Sequence, residues 1–332
     1  MRRLRAGVLG LGNMGRHHVR ALGELSGVDL VAVADRDGDS FGAAKGTGLV
    51  VLRDLEEMLA VGIDMCVVAL PTEDHAPAAM RLAECGVATL IEKPLAVDSV
   101  SGRQVVEAFA THGVVGCVGH IERYNPALQA MRQKITAGLL GTVYQIATRR
   151  QGPFPARVRD VGVIKDLATH DLDLSAWVAS SRYELVSAQV AYQAGRVHED
   201  LVAAIGRLES GAVTNHVVNW LSPVKERVVV VTGAGGSLEA DTLRADLTFY
   251  ENGSVPTTWD AVAAFRGVSE GDAIRYALAK PEPLATELAA FRDAVLGDPS
   301  GIVSLSDGLV TLGVAEALLR SATGQTAVSV QP

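Results

Sequence analysis

The sequence predicts an α/β protein of two domains: a doubly wound parallel sheet, followed by an α+β domain whose strands are mainly antiparallel. Roughly the first 120 residues alternate short β-branched runs with helical stretches, which is the βαβ pattern. After about Ile121 the strands alternate or join through glycine turns, as antiparallel strands do. At 332 residues the chain exceeds one comfortable hydrophobic core. We therefore predict domains at 1–121 and 122–332.

The N-terminal strands are predicted as continuous apolar runs, because strands covered by helices on both faces need no polar side. These runs are Arg5–Gly10, Val28–Asp35, Gly48–Leu52, Met65–Pro71, Val87–Glu92 and Val114–His120. The second domain is predicted to contain strands at Ala188–Ala194, Leu201–Leu208 and Ala212–Asn219, and closing helices at Leu284–Leu296 and Asp307–Ser321.

Composition excludes several classes of protein. A net charge of −8 and a pI near 5.5 argue against nucleic-acid or anionic-membrane partners, which require a cationic surface. No apolar run approaches the ~20 residues that span a bilayer. Cys66, Cys85 and Cys117 are odd in number and far apart in apolar runs, which favours reduced core thiols over a disulfide framework or a zinc site. We expect a cytoplasmic protein without a metal.

A glycine motif follows the first predicted strand and precedes a helix that begins near Met14. Glycines at this place allow a tight turn and close approach of the backbone to a pyrophosphate, whose charge the helix N-terminus stabilises. The residues predicted to bind a dinucleotide here are Gly10, Gly12, Asn13, Met14 and Gly15.

Asp35 ends the second predicted strand, twenty residues after Gly15, where a carboxylate can accept hydrogen bonds from a ribose. The same charge predicts NAD, because a carboxylate about 4 Å from a 2′-phosphate costs on the order of 4 kcal/mol at an effective dielectric near 20. Arg36 either softens this repulsion or stacks on the adenine. A strand-end turn is the alternative interpretation of Asp35.

Two further strand ends carry candidate residues, at the carboxyl edge where doubly wound folds bind ligands. Leu70, Pro71 and Thr72 close the fourth strand. Thr72 either contacts the nicotinamide or caps the next helix, and His75 is interpreted as part of the helix start. Glu92-Lys93-Pro94 follows the fifth strand, so Lys93 is a candidate for holding a reacting oxygen. A surface lysine is the alternative.

Asp166 and His170 lie four residues apart in a helix predicted from about Val163 to Ala179, which puts them on one face. The imidazole can accept a proton near neutral pH, and the carboxylate can share the substrate oxygens. Asp173 is a rival for orienting the imidazole. An ordinary polar helix face is the alternative interpretation.

A cationic stretch precedes this helix, interrupted by Gly152-Pro-Phe-Pro155. Its arginines can clamp a phosphate or carboxylate of a substrate, or they belong to a solvated loop or subunit contact. They are Arg149, Arg150, Arg157 and Arg159.

Together these motifs resemble the glucose-fructose oxidoreductase, inositol dehydrogenase and rhizopine catabolism family, Gfo/Idh/MocA. The resemblance spans essentially the whole chain. It rests on four ordered segments: the glycine motif, Glu92-Lys93-Pro94, Val118-Gly-His-Ile-Glu-Arg-Tyr-Asn-Pro126 and Asp166-x-x-x-His170-Asp171.

The resemblance implies a Rossmann domain followed by an open antiparallel sheet that supports the substrate and forms homodimers or homotetramers. It implies NAD-dependent oxidation of a CH–OH group on a sugar, sugar nucleotide or cyclitol. Lys93, Asp166 and His170 would correspond to the catalytic residues, with His170 as general base, Lys93 as the alternative base and Asp166 positioning both. Glu92 would lie at the cofactor. The residues implied at the substrate are His120, Arg123, Tyr124, Asn125, Arg150, Arg157, Asp166 and His170.

Within the family, Gly119–Asn125 and the segment from Gly152 are most similar to members that oxidise C3 of UDP-N-acetylglucosamine. Lys165 departs from the family pattern, which has an aliphatic residue beside the aspartate, and adjacent helix positions predict that it faces elsewhere. Two alternatives stay open: an NADPH-dependent ketosugar reductase of deoxysugar biosynthesis, and a non-catalytic protein that senses dinucleotides.

Overall fold

The computed structural model describes residues 2–154, 161–195, 197–253 and 269–330. The chain divides into two compact units. The first comprises Met1–Ile121 with Pro281–Gly313, and the second comprises Glu122–Lys280 with Val314–Pro332. Among the residues that the structure describes, no helix has both the length and the apolarity required to cross a membrane.

The first unit is built on a six-stranded sheet in the order β3-β2-β1-β4-β5-β6, and all of its paired strands are parallel. Its strands are β1 (Leu4–Leu9), β2 (Val28–Ala34), β3 (Val51–Leu52), β4 (Met65–Val68), β5 (Ala88–Glu92) and β6 (Gly116–Gly119). The helices between them are α1 (Gly15–Glu24), α2 (Leu55–Val61), α3 (Thr72–Glu84) and α4 (Ser99–His112).

Both faces of this sheet are covered, as the continuous apolar runs predicted. In β4, Met65 and Val67 pack into one apolar cluster, whereas Cys66 and Val68 pack into another. Because successive side chains of a strand point to opposite faces, each face has its own core. Cys66 and Cys117 are buried, as predicted for core thiols, whereas Cys85 is exposed and differs from that prediction.

The described part of the second unit forms a nine-stranded sheet in the order β14-β13-β12-β11-β7-β10-β9-β8-β15. Only the β10–β7 pair is parallel in it, so the prediction of a mainly antiparallel sheet is confirmed. Its strands are β7 (Val143–Pro153), β8 (Tyr183–Ala191), β9 (Leu201–Leu208), β10 (Val213–Asn219), β11 (Leu221–Gly233), β12 (Gly236–Asp241), β13 (Asp246–Gly253), β14 (Ser269–Arg275) and β15 (Val328–Ser329).

Helices cover one face of this second sheet. Helix α5 (Pro126–Thr136) and α6 (Thr169–Ala179) contribute Leu128, Met131 and Leu172 to a core shared with Val229 and Val231 of β11. Buried and exposed residues alternate along β9, and Ile205 on its outer face is 60% exposed. The strands therefore show the alternation expected of a sheet with one open face.

Residues 281–313 belong to the first unit, whereas the predicted division placed them in the second. Helix α7 (Pro283–Val295) inserts Leu284, Leu288 and Phe291 into the cluster that contains Val8 and Leu22. Residues far apart in the sequence thus pack together in the first unit. The predicted second domain, 122–332, is corrected by the removal of residues 281–313. The last helix, α8, spans Leu305–Gly324.

Candidate active site

Three glycines shape the loop after β1. A Cβ on Gly15 would lie 1.9 Å from the carbonyl oxygen of Gly10, and one on Gly10, whose φ is +95°, would lie 2.5 Å from that of Ala69. A Cβ on Gly12 would meet no heavy atom of the described residues within 4 Å, its chain neighbours aside. Gly10 and Gly15 are therefore required for the packing of the backbone itself, whereas Gly12 leaves an open space of the kind that a pyrophosphate needs.

Helix α1 begins directly after this loop with no side chain capping it. Met14 occupies the N-cap position and makes no side-chain hydrogen bond to the first turn. Asn13 uses its side-chain oxygen to accept a hydrogen bond from Arg16, at 3.0 Å. The positive end of the helix dipole thus faces the glycine loop, where it favours an anionic group.

The structure places Asp35 against the glycine loop. One carboxylate oxygen accepts a hydrogen bond from the Leu11 backbone N–H at 2.7 Å, and the other accepts one from the Asp37 N–H at 2.9 Å. Asp35 therefore closes a turn, as the alternative interpretation proposed, and also lies at the nucleotide loop. Because a carboxylate has about four acceptor positions, it can still accept ribose hydroxyls. The exposed Arg36 forms an ion pair with Asp74 at 3.3 Å.

The segment after β4 leads into α3. Thr72 is the first residue of the helix and is buried, and Pro71 occupies the N-cap position without a side-chain hydrogen bond. The interpretation of Thr72 as an N-cap is therefore wrong. His75, one turn into the helix, is buried and has its two ring nitrogens 2.8 Å from the Pro94 carbonyl oxygen and 2.9 Å from that of Leu70.

Strand β5 ends at Glu92, immediately before Lys93. The buried Glu92 carboxylate lies 2.8 Å from Nε2 of His18 and also accepts the Lys93 backbone N–H at 3.2 Å. Burial alone would raise the pKa of Glu92, but the hydrogen bond and charge of His18, together with the charge of Lys93, lower it. Glu92, predicted at the cofactor, is thus an ionised internal partner of His18. The Lys93–Pro94 peptide bond is cis.

Asp166 and His170 lie in one helical stretch of the second unit, but its start is not α-helical. Residues Ile164–Ala168 form a π-helical turn that continues into α6 at Thr169. Asp166 is buried, and His170 in the first turn of α6 is partly exposed. The wider π turn still leaves residues four apart about one turn from each other, and such turns are frequent at functional sites.

Two predicted site residues of the second unit pair with each other. The Arg123 guanidinium makes two hydrogen bonds to the Asp173 carboxylate, at 2.6 and 2.8 Å. This bidentate pair is the preferred geometry of arginine and carboxylate. Asp173, the rival for orienting His170, therefore has its carboxylate held by Arg123.

Arg150 is buried rather than presented to solvent. Its guanidinium contacts the Asp171 carboxylate at 3.0 Å and the Glu122 carboxylate at 2.8 Å. Burial raises the pKa of Asp171 to about 6, against the opposing charge of Arg150. Exposed Arg149 pairs with Glu226 at 2.9 Å. The fold therefore uses the charge of Arg150 internally, and its part in a substrate clamp stays a prediction.

The remaining predicted substrate residues have varied surroundings. Asn125 caps α5 by accepting the Ala127 N–H at 3.0 Å, and it donates to the Thr242 carbonyl oxygen at 2.9 Å. Tyr124 and His120 are buried, and His120 follows the carboxyl end of β6. Arg157 and Arg159 lie outside the described residues. In the described ranges, no group of three or more His, Cys, Asp or Glu side chains is arranged to hold a metal ion.

The sequence reasoning missed a cationic pair on β11. Arg227 is paired with Arg150 across the β11–β7 ladder, and its guanidinium reaches Glu122 at 3.3 Å. Lys225, two residues earlier, is exposed. The charge of Arg227 is the main cause that lowers the pKa of Lys225, so the two cations lie close together. The signal in the sequence was two cations, Lys225 and Arg227, placed two residues apart in one strand.

Models of one family match both parts of the chain. The description "Oxidoreductase family, NAD-binding Rossmann fold" matches residues 4–120, and the description "GFO/IDH/MocA C-terminal domain" matches residues 128–239. The chain belongs to the Gfo/Idh/MocA family. It is thus an oxidoreductase with an NAD-binding Rossmann domain, which confirms the resemblance carried by the motifs.

Other members of the Gfo/Idh/MocA family are similar over most of the chain. UDP-N-acetylglucosamine 3-dehydrogenase of Acidithiobacillus ferrooxidans is 29% identical over 294 residues, 88% of each protein. The solved structure of UDP-N-acetylglucosamine 3-dehydrogenase GnnA from that organism has a TM-score of 0.85 at 25% identity, covering 98% of this chain and 99% of the other. The scyllo-inositol 2-dehydrogenase (NAD(+)) of Bacillus subtilis is 28% identical over 73% of this chain and 75% of its own.

Proposed function

We propose that this protein is an NAD-dependent dehydrogenase that oxidises a secondary hydroxyl group on a sugar, sugar nucleotide or cyclitol. The proposal is carried by one observation in the first unit. The glycine loop, Asp35, the segment from Leu70 and Lys93 follow the carboxyl ends of the adjacent parallel strands β1, β2, β4 and β5. Parallel strands end at one edge, so nucleotide-binding groups and an ammonium share that edge.

The choice of NAD rests on Asp35. Its carboxylate is fixed by the N–H groups of Leu11 and Asp37, so it cannot swing away from a 2′-phosphate without losing both hydrogen bonds. A relative, the scyllo-inositol dehydrogenase of Bacillus subtilis, has NAD(+) in its name. Fluorescence titration with NADH and NADPH tests this choice. A clear preference for NADPH would favour the ketosugar reductase instead.

The roles of the three catalytic candidates follow from the chemistry of alcohol oxidation. When bound, the nicotinamide ring would accept the hydride. The hydroxyl proton needs a base, which we assign to His170, and the oxygen needs a donor as its negative charge grows, which we assign to Lys93. Asp166 keeps the positioning role that the family resemblance implies. Lys93 is the alternative base.

The finer proposal is a sugar nucleotide, with C3 of UDP-N-acetylglucosamine as the hydroxyl-bearing carbon. The similarity to the UDP-N-acetylglucosamine 3-dehydrogenase over 88% of the chain supports it. Lys225 and Arg227 also support it, because two cations that lie close together suit a diphosphate. The homodimer or homotetramer remains a prediction.

The test is a substrate panel of inositols, hexoses and UDP-hexosamines, followed through the absorbance of NADH. With the best substrate, Lys93→Ala and His170→Ala should each lower kcat by about 100-fold or more, since each removes a group that acts in the transition state. The matched control for Lys93→Ala is Lys280→Ala, which removes an exposed ion pair with Asp246. The matched control for His170→Ala is His112→Ala, at an exposed helix end. Full turnover in both site variants would reject the assignment.

A further inference from the structure

Two buried histidines contact the chain on either side of Lys93. His18 of α1 is 0% exposed and lies 2.8 Å from the carboxylate of Glu92, the residue before Lys93. His75 of α3 is 1% exposed and places Nδ1 2.8 Å from the carbonyl oxygen of Pro94, the residue after it. The position of the lysine is thus bounded by an imidazole contact at each end of its turn.

His75 also joins two neighbouring loops. Its Nε2 lies 2.9 Å from the carbonyl oxygen of Leu70, which follows β4, while Pro94 follows β5. Strands β4 and β5 are adjacent and parallel, so both loops lie at one edge of the sheet. One ring therefore spans the segment predicted to border the nicotinamide and the turn that carries Lys93.

The ring cannot satisfy both carbonyl groups in its neutral form. Burial lowers the pKa of His75, against the opposing effect of the two carbonyl contacts, so near neutral pH it carries one N–H. A neutral imidazole donates one hydrogen bond. The contact to Pro94 is buried, whereas the contact to Leu70 is only partly buried. A buried carbonyl without a donor costs more than one that water can reach, which assigns the proton to Nδ1.

We propose that His75 is a positioning residue for Lys93, acting through a hydrogen bond from Nδ1–H to the Pro94 carbonyl. This inference rests on the proposed role of Lys93. The alternative is a purely structural histidine that fills space beside Ala76 and Ala79 in the apolar cluster of α3. Such a residue would affect stability, and the identity of the retained nitrogen would not matter.

Asparagine and glutamine separate the two contacts of the ring. The amide nitrogen of His75→Asn lies near the place of Nδ1 and can still donate to Pro94, whereas that of His75→Gln lies near the place of Nε2 and can reach only Leu70. We expect kcat to fall about 10-fold to 100-fold in His75→Gln and in His75→Leu, since a displacement of about 1 Å has effects of this size. His75→Asn should lie within about threefold of the unchanged protein.

The binding of NADH gives the second readout. Both described hydrogen bonds of His75 go to the Pro94 and Leu70 carbonyl groups, whereas Asp35 and the glycine loop are the proposed holders of the ribose and pyrophosphate. The Kd for NADH should therefore differ by less than about threefold between His75→Asn and His75→Gln, while kcat separates these two variants. His112→Gln, at an exposed histidine of the same unit, is the control for changing any histidine. Equal losses of kcat in His75→Asn and His75→Gln, or no loss in either, would overturn the proposal.

The chemical reactivity of Lys93 gives a readout that needs no catalysis. The protein without cofactor is acetylated briefly with acetic anhydride, and the modification of Lys93 relative to exposed Lys280 is measured by peptide mass spectrometry. The ratio should change by at least about threefold in His75→Gln but not in His75→Asn, because the surroundings of an amine set its reactivity. An unchanged ratio in both overturns the positioning role.

If Lys93→Ala itself retains turnover, the proposed catalytic role of Lys93 fails, while the acetylation ratio still decides whether His75 positions Lys93. Should His75→Leu not fold, the Asn and Gln pair remains decisive.

Discussion

The open space at Gly12 gives this single residue a role different from that of its neighbours. A Cβ on Gly10 or Gly15 would collide with backbone carbonyl groups of the chain, whereas one on Gly12 would meet no atom of the described residues within 4 Å apart from its chain neighbours. Folding therefore depends on the outer two glycines. If a pyrophosphate occupies the open space, Gly12 is required only when the dinucleotide binds.

Gly12→Ala should therefore leave the unfolding midpoint unchanged and weaken NADH binding. A methyl group forced into a packed contact costs about 1–3 kcal/mol, which is a rise in Kd of about fivefold to over a hundredfold. Fluorescence titration measures it. The matched control is Gly23→Ala in α1, where a Cβ also meets nothing within 4 Å. It should stabilise the helix by about 0.5–1 kcal/mol without changing the Kd. Normal NADH affinity in Gly12→Ala would remove the pyrophosphate from this loop.

Local spacing explains which site residues the sequence could place. Asp35 meets the glycine loop in a 2.7 Å hydrogen bond, and the fixed geometry of a βαβ unit made that neighbourhood predictable. Arg150 instead finds its carboxylates 21 and 28 residues away, and Arg123 finds Asp173 50 residues away. Such partners depend on sheet register and helix packing, which the pattern of one sequence does not encode.

At the scale of elements, strand β7 places two consecutive arginines on opposite faces of its sheet. Successive side chains point to opposite faces of a strand. Arg149 lies on the open face and pairs with Glu226, with 57% of its side chain exposed, whereas Arg150 is 2% exposed and contacts both Asp171 and Glu122. The two residues therefore allow an arginine–carboxylate ion pair at the surface to be compared with one in the interior.

Arg150→Met should lower the free energy of unfolding by about 3–5 kcal/mol, because it removes the buried cation from Asp171 and leaves the buried Glu122 carboxylate with the more exposed Arg227. Arg149→Met, the matched control, should lower it by about 0–1 kcal/mol, as exposed pairs contribute little. Urea denaturation measures both. A stable Arg150→Met protein with a raised KM would instead support the original prediction that Arg150 binds substrate.

Two helices have features that the sequence pattern did not predict. The helix predicted from Val163 begins with a π turn at Ile164–Ala168, because the apolar spacing of a short turn does not distinguish π from α geometry. Helix α7 was predicted within one residue at each end, yet it packs in the first unit through Leu284, Leu288 and Phe291. An apolar helix face specifies that it is buried, but the partner surface depends on the tertiary fold.

At the scale of the whole molecule, buried acids link stability to pH. Glu287 of α7 is 2% exposed, and neither carboxyl oxygen has a hydrogen-bond partner among the described residues. Burial raises the pKa of Glu287 well above 4.5, and the negative charge of Glu92 adds to this. The folded protein therefore holds Glu287 as a neutral acid beside an ionised Glu92.

The sign of the pH effect follows from the protons bound. In the unfolded chain Glu287 ionises above its ordinary value of 4.5, whereas the folded chain keeps the proton. The folded state thus binds one more proton, and its stability falls by about 1.4 kcal/mol per pH unit between the ordinary and the raised pKa. This contribution is fully present below pH 4.5 and is lost as the pH rises.

Glu287→Gln should remove this slope, because the amide has nearly the same shape and no charge at any pH. We expect the melting temperature of the variant to rise relative to the unchanged protein from pH 5 to pH 6.5, measured by calorimetry so that transitions of the two units are resolved. Glu107→Gln, at an exposed position of α4, controls for the loss of any carboxylate and should leave the difference constant. Melting temperatures that run parallel with pH in Glu287→Gln and the unchanged protein would mean that the folded state ionises Glu287. In that case, Glu92 and Glu287 would carry charge in one interior, and a cation or water that satisfies both would have to be found.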